Sequence, residues 1–211
     1  MRVSCTQLES FRLWRSGDWM PEQDLIDSIT GVFVPNHKIN LGSAFGKVLE
    51  DPQQYAVSGG YRVRAGGEDF EFGVDVMLEP LSLLDRRGVF EAKTVKAYGP
   101  VDVVSKADYI AGARLREFKT TLSTFDFDKY AESCQWRFMA DAFQPRIVTY
   151  HIFCLEEAKN GVIGLKEIHT FNLFPYAALH DDCARLVREF TDYVDRRGLR
   201  AVLEQRQREA A

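Results

Sequence analysis

The sequence predicts an α/β domain built on a central mixed β-sheet flanked by helices. Three observations predict it. Helix-period stretches occupy both ends of the chain, and β-rich stretches punctuated by Gly and Pro run from Phe70 to Thr121. A helix, two further strands and a last helix then follow, an order that suits helices layered on a sheet. The 211 residues suit one domain with decorations rather than two full ones.

Residues 1–30 read as helical pieces broken by Gly17 and Pro21. A capping start falls at Ser4 or Thr6, with Leu8, Phe11 and Trp14 at three-residue steps. Gly31 to Asn40 holds Pro35 and Asn36 and reads as loop. Ser43 to Asp51 fits a short amphipathic helix ended by Pro52. A strand at Tyr61–Val63 is expected among the glycines of 56–67. Phe70–Leu78, Val89–Tyr98, Val101–Ile110 and Leu115–Thr121 read as antiparallel strands or hairpins, separated at Pro80, Gly88, Gly99–Pro100 and Gly112. A helix over Phe127–Phe143 carries apolar Phe127, Tyr130, Cys134 and Phe138 at helical spacing and stops at Pro145. Ile147–Leu155 and Val162–Phe171 read as strands joined at Lys159-Asn160-Gly161. Leu179–Arg197 is a final amphipathic helix, with Cys183, Leu186, Val187, Phe190 and Val194 inward. The domain core is expected over residues 41–197, with helical decoration at 1–40 and a charged, helix-prone tail at 198–211.

Composition narrows the function. Apolar residues make up 45% and charged residues 27%, ordinary globular values. A net charge of −4 and a pI of 5.6 argue against wrapping nucleic acid by bulk charge. A polyanion partner would need a local basic patch or a metal ion among carboxylates. No apolar run reaches membrane-spanning length, and Met1 to Met20 lacks an apolar signal core, so a cytoplasmic setting is expected. Cys5, Cys134, Cys154 and Cys183 are far apart without a CxxC pair, which argues for reduced thiols. His37, His151, His169 and His180 read as structural or surface residues. Gly42-Ser-Ala-Phe-Gly46-Lys47-Val48 falls short of a phosphate loop. It is one residue too short between the glycines and ends in Val where a hydroxyl should meet magnesium. GxSxG and GxGxxG motifs are also lacking.

The informative stretch is Lys106 to Thr121. Asp108 lies near the end of one expected strand; a turn at Gly112 reverses the chain; Glu117 and Lys119 then share one face of the next strand. A hairpin places Asp108 opposite them. Two facing carboxylates repel unless a cation offsets them. Oxygen ligands suit Mg2+ or Mn2+, which polarise phosphodiesters and lower the pKa of water. A neighbouring lysine can orient or deprotonate water and stabilise developing charge. Taken alone, Glu-x-Lys is common in strands and reads more readily as a surface salt bridge on the hairpin. On the helix that follows, Gln135 sits among apolar Ala131, Met139 and Ala142, so a polar group faces inward and needs partners.

Asp108, Glu117-Phe118-Lys119-Thr-Thr and Gln135 in Tyr130-Ala-Glu-Ser-Cys-Gln-Trp-Arg-Phe resemble the PD-(D/E)xK nuclease superfamily, in its RecB-like exonuclease branch. The likeness covers residues 100–155 and extends more weakly to Leu41–Glu50. It implies a restriction-endonuclease-like core. Asp108, Glu117, the Phe118 carbonyl and Glu50 would be metal ligands for Mg2+ or Mn2+, Lys119 the catalytic lysine, and Gln135 a group placing that lysine or the DNA end. Where the family carries a histidine in its first helix, this chain has Gly46, which favours magnesium over a histidine-assisted manganese site. The cysteines do not match the family's iron–sulfur placement, so no cluster is expected.

Asp75, Glu91 and Lys93 form a rival D…ExK set, for which cross-strand charge pairing is the plainer role. Lys47, Arg114, Arg116, Lys129 and Arg137 are candidate phosphate contacts. Tyr109, Phe125 and Trp136 could stack on bases but suit core packing better. The resemblance implies a metal-dependent deoxyribonuclease, an exonuclease acting on DNA ends in recombination or repair, of bacterial or phage type. Its partners would be linear or single-stranded DNA, a recombination or single-strand-annealing protein, and further copies of itself. The alternative is an inactive nucleic-acid-binding or assembly module on the same fold.

Overall fold

The computed structural model describes residues 1–17, 20–32, 34–85 and 87–209, with side chains as far as 205. The chain opens with a short strand, β1 (Arg2–Ser4), and helix α1 (Cys5–Ser16). Ser4 caps α1 reciprocally with Gln7, as the capping signal in the sequence predicts, and Gly17 ends it in the left-handed conformation. Helix α2 (Glu22–Thr30) follows Pro21. Helix α3 (His37–Glu50) starts inside the segment read as loop, because Asn36 accepts from the Ile39 amide and caps it; residue 33 lies outside the described residues. Pro52 does not merely stop α3: it opens the single turn α4 (Pro52–Tyr55).

Strands β2 (Ala56–Val57), β3 (Gly60–Ala65) and β4 (Glu68–Gly73) come next. The expected strand over Phe70–Leu78 ends early. Val74–Ser82 is helix α5, because Val76, Met77 and Pro80 bury on one helical face while Leu78 points to solvent. Strands β5 (Val89–Tyr98), β6 (Val101–Ala111) and β7 (Arg114–Thr121) agree with the sequence reading. The single helix expected over Phe127–Phe143 is two, α6 (Phe127–Ala131) and α7 (Cys134–Phe143). Ser133 breaks it by capping α7 at the Gln135 amide; Tyr130, Cys134 and Phe138 are buried, while Phe127 is 47% exposed. Strands β8 (Ile147–Glu157) and β9 (Val162–Leu173) precede helix α8 (Leu179–Arg196), whose five expected inward residues are all buried. Helix α9 (Arg200–Glu209) forms the tail; residues 210 and 211 lie outside the described ones.

The described strands make one mixed sheet in the order β1-β6-β7-β8-β9-β4-β3-β2, with β5 on the far edge of β6. Three pairs are parallel (β1–β6, β7–β8, β4–β9) and the other described pairs antiparallel, so the fold is α/β with helices on the sheet. One core joins α1, α2 and α8 to β1 and β6. A second seals α3 and α5 to β3, β4 and β8, and a third holds α7 against β7 and β8. Each large apolar side chain buried there contributes about 1.5–3 kcal/mol. Residues 1–16 thus belong to the sheet and its main core as β1 and α1.

Candidate active site at the opened edge of β6

Strand β6 is paired with β5 along one edge, from Val101 to Ile110. Its other edge is divided. β1 takes Asp102–Val104 and β7 takes Tyr109–Ala111. Between them, 105–108 face no strand on that side among the described residues. The β6–β7 ladder therefore stops at Tyr109–Arg116, one residue before Asp108 and Glu117. An amide released from a ladder needs another acceptor. Asp108 supplies it: the Phe118 amide donates to Asp108 Oδ2 at 2.8 Å.

On β7, Glu117 is 4% exposed and Lys119 donates to its Oε1 at 2.5 Å. Glu117 Oε2 is buried without a hydrogen-bond partner. Burial pushes the Glu117 carboxyl up to about 7, against the pull of Lys119 and with the push of Asp108. For Lys119, burial pulls down, but the Glu117 and Asp108 carboxylates outweigh it and leave the group raised. Lys119 is thus an ammonium at neutral pH, suited to orienting groups and stabilising negative charge rather than to accepting a proton. A buried carboxylate oxygen with no donor beside a second carboxylate suits a divalent cation, and the oxygen-only donor set suits Mg2+ or Mn2+.

Two cavities meet at this pair. A cleft of about 610 Å³ brings Asp108, Phe118 and Lys119 together with Lys47 and Glu50 of α3. The other, of about 370 Å³, joins Asp108, Glu117 and Lys119 to Gln135 of α7 and the start of α1. All the expected catalytic and metal-ligating residues therefore line one or the other of two cavities that share Lys106, Asp108 and Lys119. Gly46 also lines the cleft, and a Cβ there would meet nothing within 4 Å. Lys47 is engaged with the Arg64 carbonyl at 3.0 Å. The rejected phosphate-loop segment is a turn of α3, not a loop.

Three expected phosphate contacts lie apart from the Asp108/Glu117 pair. Arg116 is buried on the opposite face of β7 from Glu117. Its guanidinium donates to the Leu83 carbonyl, pairs with Asp85 at 2.9 Å and lies over the Tyr109 ring. Arg114 is exposed beside the Gly112 turn, at the far end of the β6–β7 hairpin from the cleft. Arg137 lines a separate pocket with Arg12 and Arg15, over the Trp136 ring. Tyr109 and Trp136 are core residues, as expected.

The rival set divides. Asp75 stands in the first turn of α5, apart from the cleft. Of the β5 residues, Glu91 borders the cleft and Lys93 the other cavity, with Glu91 paired with Lys106 across the strands, as charge pairing predicts. Glu91 takes a left-handed backbone (φ 55°), which interrupts the pairing opposite Asp108. Sequence reasoning missed Lys106 and the Ser4–Thr6 segment as lining groups. The Lys106-Ala-Asp108 alternation puts Lys106 on the Asp108 face and could have found the first; nothing in the sequence signals the second.

No family model matches the chain, and neither does any curated protein. Among solved structures, the chain is similar to one described as the crystal structure of SSO0001. The TM-score is 0.50 at 14% identity, over 89% of this chain and 74% of that one. The likeness is one of fold.

Proposed function

We propose that this chain is a divalent-metal-dependent deoxyribonuclease of the PD-(D/E)xK type, with a restriction-endonuclease-like core, acting as an exonuclease on DNA ends. The observation that carries the reading is the buried, unpartnered Glu117 Oε2 beside Asp108, where β6 and β7 part. Asp108, Glu117 and the Phe118 carbonyl would hold Mg2+ or Mn2+, with Glu50 reaching in from α3. The ion would supply Lewis-acid polarisation of the scissile phosphodiester and offset the repulsion between the carboxylates. Lys119 stabilises charge developing on the phosphate. Gln135 borders Lys119 on the α7 side and holds the lysine or the DNA end. Lys47 borders the first cavity, Lys93 the second and Lys106, ion-paired with Glu91, both; these cations would draw the DNA backbone toward an otherwise acidic protein. The same reading places its work in recombination or repair, in a bacterial or phage-infected host cytoplasm; no helix among the described residues is long and apolar enough to cross a membrane.

Two observations favour a second reading, an inert binding module. Gly46 stands where the resemblance expects a histidine, and Lys119 already occupies Glu117 Oε1. The test is incubation of end-labelled linear, circular and single-stranded DNA with Mg2+ or Mn2+. Wild type should degrade molecules with ends and spare circles. Lys119→Ala, shown to be folded by circular dichroism, should leave all three intact. Equal degradation by both proteins discards the assignment, and inertness of both favours the module.

A further inference from the structure

A second cluster of metal-ligating side chains lies on the same sheet face as Glu117 and Lys119. Cys154 on β8 stands directly opposite Glu167 on β9, and His169 follows Glu167 on the same face of β9 two residues on. One ligand atom from each residue falls within 4.8 Å of the other two.

Three features set this cluster apart from chance neighbours. His169 Nε2 lies 3.2 Å from Glu167 Oε1, yet it is buried and makes no hydrogen bond. The imidazole nitrogen thus stands at ion-pair distance from the carboxylate, with no hydrogen bond satisfying it. The imidazole plane is fixed by Phe125, stacked on it at 4.1 Å between centroids and 10° between planes. The β8–β9 ladder carries an irregularity at Cys154/Leu155, where Lys166 is the extra residue, and such bulges re-aim side chains.

We propose that Cys154, Glu167 and His169 form a binding site for a zinc-class divalent cation. One sulfur, one nitrogen and one oxygen are the donor set that Zn2+ takes in tetrahedral sites, with water in the fourth position. A thiolate ligand selects against the magnesium class, so this site and the Asp108/Glu117 pair sort different ions. The strand register seats Cys154 beside Thr121, two residues beyond Lys119 and about 8 Å from it between Cα atoms. A bound ion would tie β8 to β9 next to the catalytic strand. The inference does not rest on the nuclease reading.

Calorimetric titration of Zn2+ into the chelator-treated, full-length protein tests it, with Co2+ absorbance as a second readout. Wild type should bind one Zn2+, and Co2+ should show a thiolate-to-metal charge-transfer band. Cys154→Ser should lose that band, and both Cys154→Ser and His169→Gln should weaken Zn2+ by at least about tenfold. Asp108→Asn should bind Zn2+ as wild type does, which separates this site from the catalytic one. No Zn2+ binding by wild type, or undiminished binding by Cys154→Ser and His169→Gln, overturns the proposal.

Discussion

Two Glu-x-Lys repeats flank Asp108, and they have opposite fates. On β7, Glu117 is buried, with one oxygen on Lys119 and the other without a partner. On β5, Glu91 and Lys93 are exposed, and Glu91 settles against Lys106. The spacing is the same. The difference is that β7 lies between β6 and β8 beneath α7, whereas β5 is an edge strand with β6 as its neighbour. Burial makes an unpaired carboxylate costly and turns it toward a cation. Solvent leaves its twin an ion pair worth about 0–1 kcal/mol. A motif nominates residues; the number of layers around the strand decides which of them is poised for chemistry.

Mutating each repeat in turn is the strongest way to break that comparison. Glu117→Gln and Lys119→Ala should each cut the cleavage rate by about 10²–10⁴-fold. Glu91→Gln should cut it less than about tenfold, chiefly through KM, because Glu91 reaches the cleft only from its exposed rim. Equal losses on both strands, measured by single-turnover cleavage, would erase the distinction.

The pH dependence sharpens it. The Glu117 carboxyl titrates higher in the folded chain than its ordinary value of 4.5, at about 7, so the folded state holds that proton more tightly. The resulting stabilisation is complete below about pH 4.5 and is lost as pH rises through about 7. Thermal melts with chelator should therefore show Tm falling across that window in wild type and changing less in Glu117→Gln. Parallel falls in the two proteins would mean that Glu117 is not the group responsible.

Two smaller effects follow from the backbone. Gly46 has open space around its Cβ position, and Gly46→His should move metal preference toward Mn2+, read as the ratio of Mn2+- to Mg2+-supported rates. Glu91→Gly should relieve the left-handed backbone of Glu91 by about 1 kcal/mol and raise Tm by about 2–4 °C. An unchanged or lower Tm would show that the Lys106 pairing outweighs the strain.

Much of this was legible in residue order. Gly112 between two alternating stretches fixed the β6–β7 hairpin, and the hairpin fixed the relation of Asp108 to Glu117 and Lys119. The 3.6-residue period of Leu179–Arg196 was strong enough to specify α8 and its buried face. Other features depend on contacts that no local pattern carries. Val74, Val76 and Leu78 alternate like a strand, but packing against β9 and α3 makes them a helix. The role of Arg116 was hidden because its partners, Leu83 and Asp85, are more than thirty residues away. The three-residue β1 is too short to show a period, yet it takes the part of the β6 edge beyond the gap and brings α1 to the site.

The central claim is that Asp108 and Glu117 together hold a divalent cation. Calorimetric titration of Mg2+ and Mn2+ into wild type and Asp108→Asn tests it most directly. The account predicts saturable binding to wild type, with a matching rise in Tm, and loss of both in Asp108→Asn. Identical titrations for the two proteins, or no metal-dependent rise in the Tm of wild type, would contradict it.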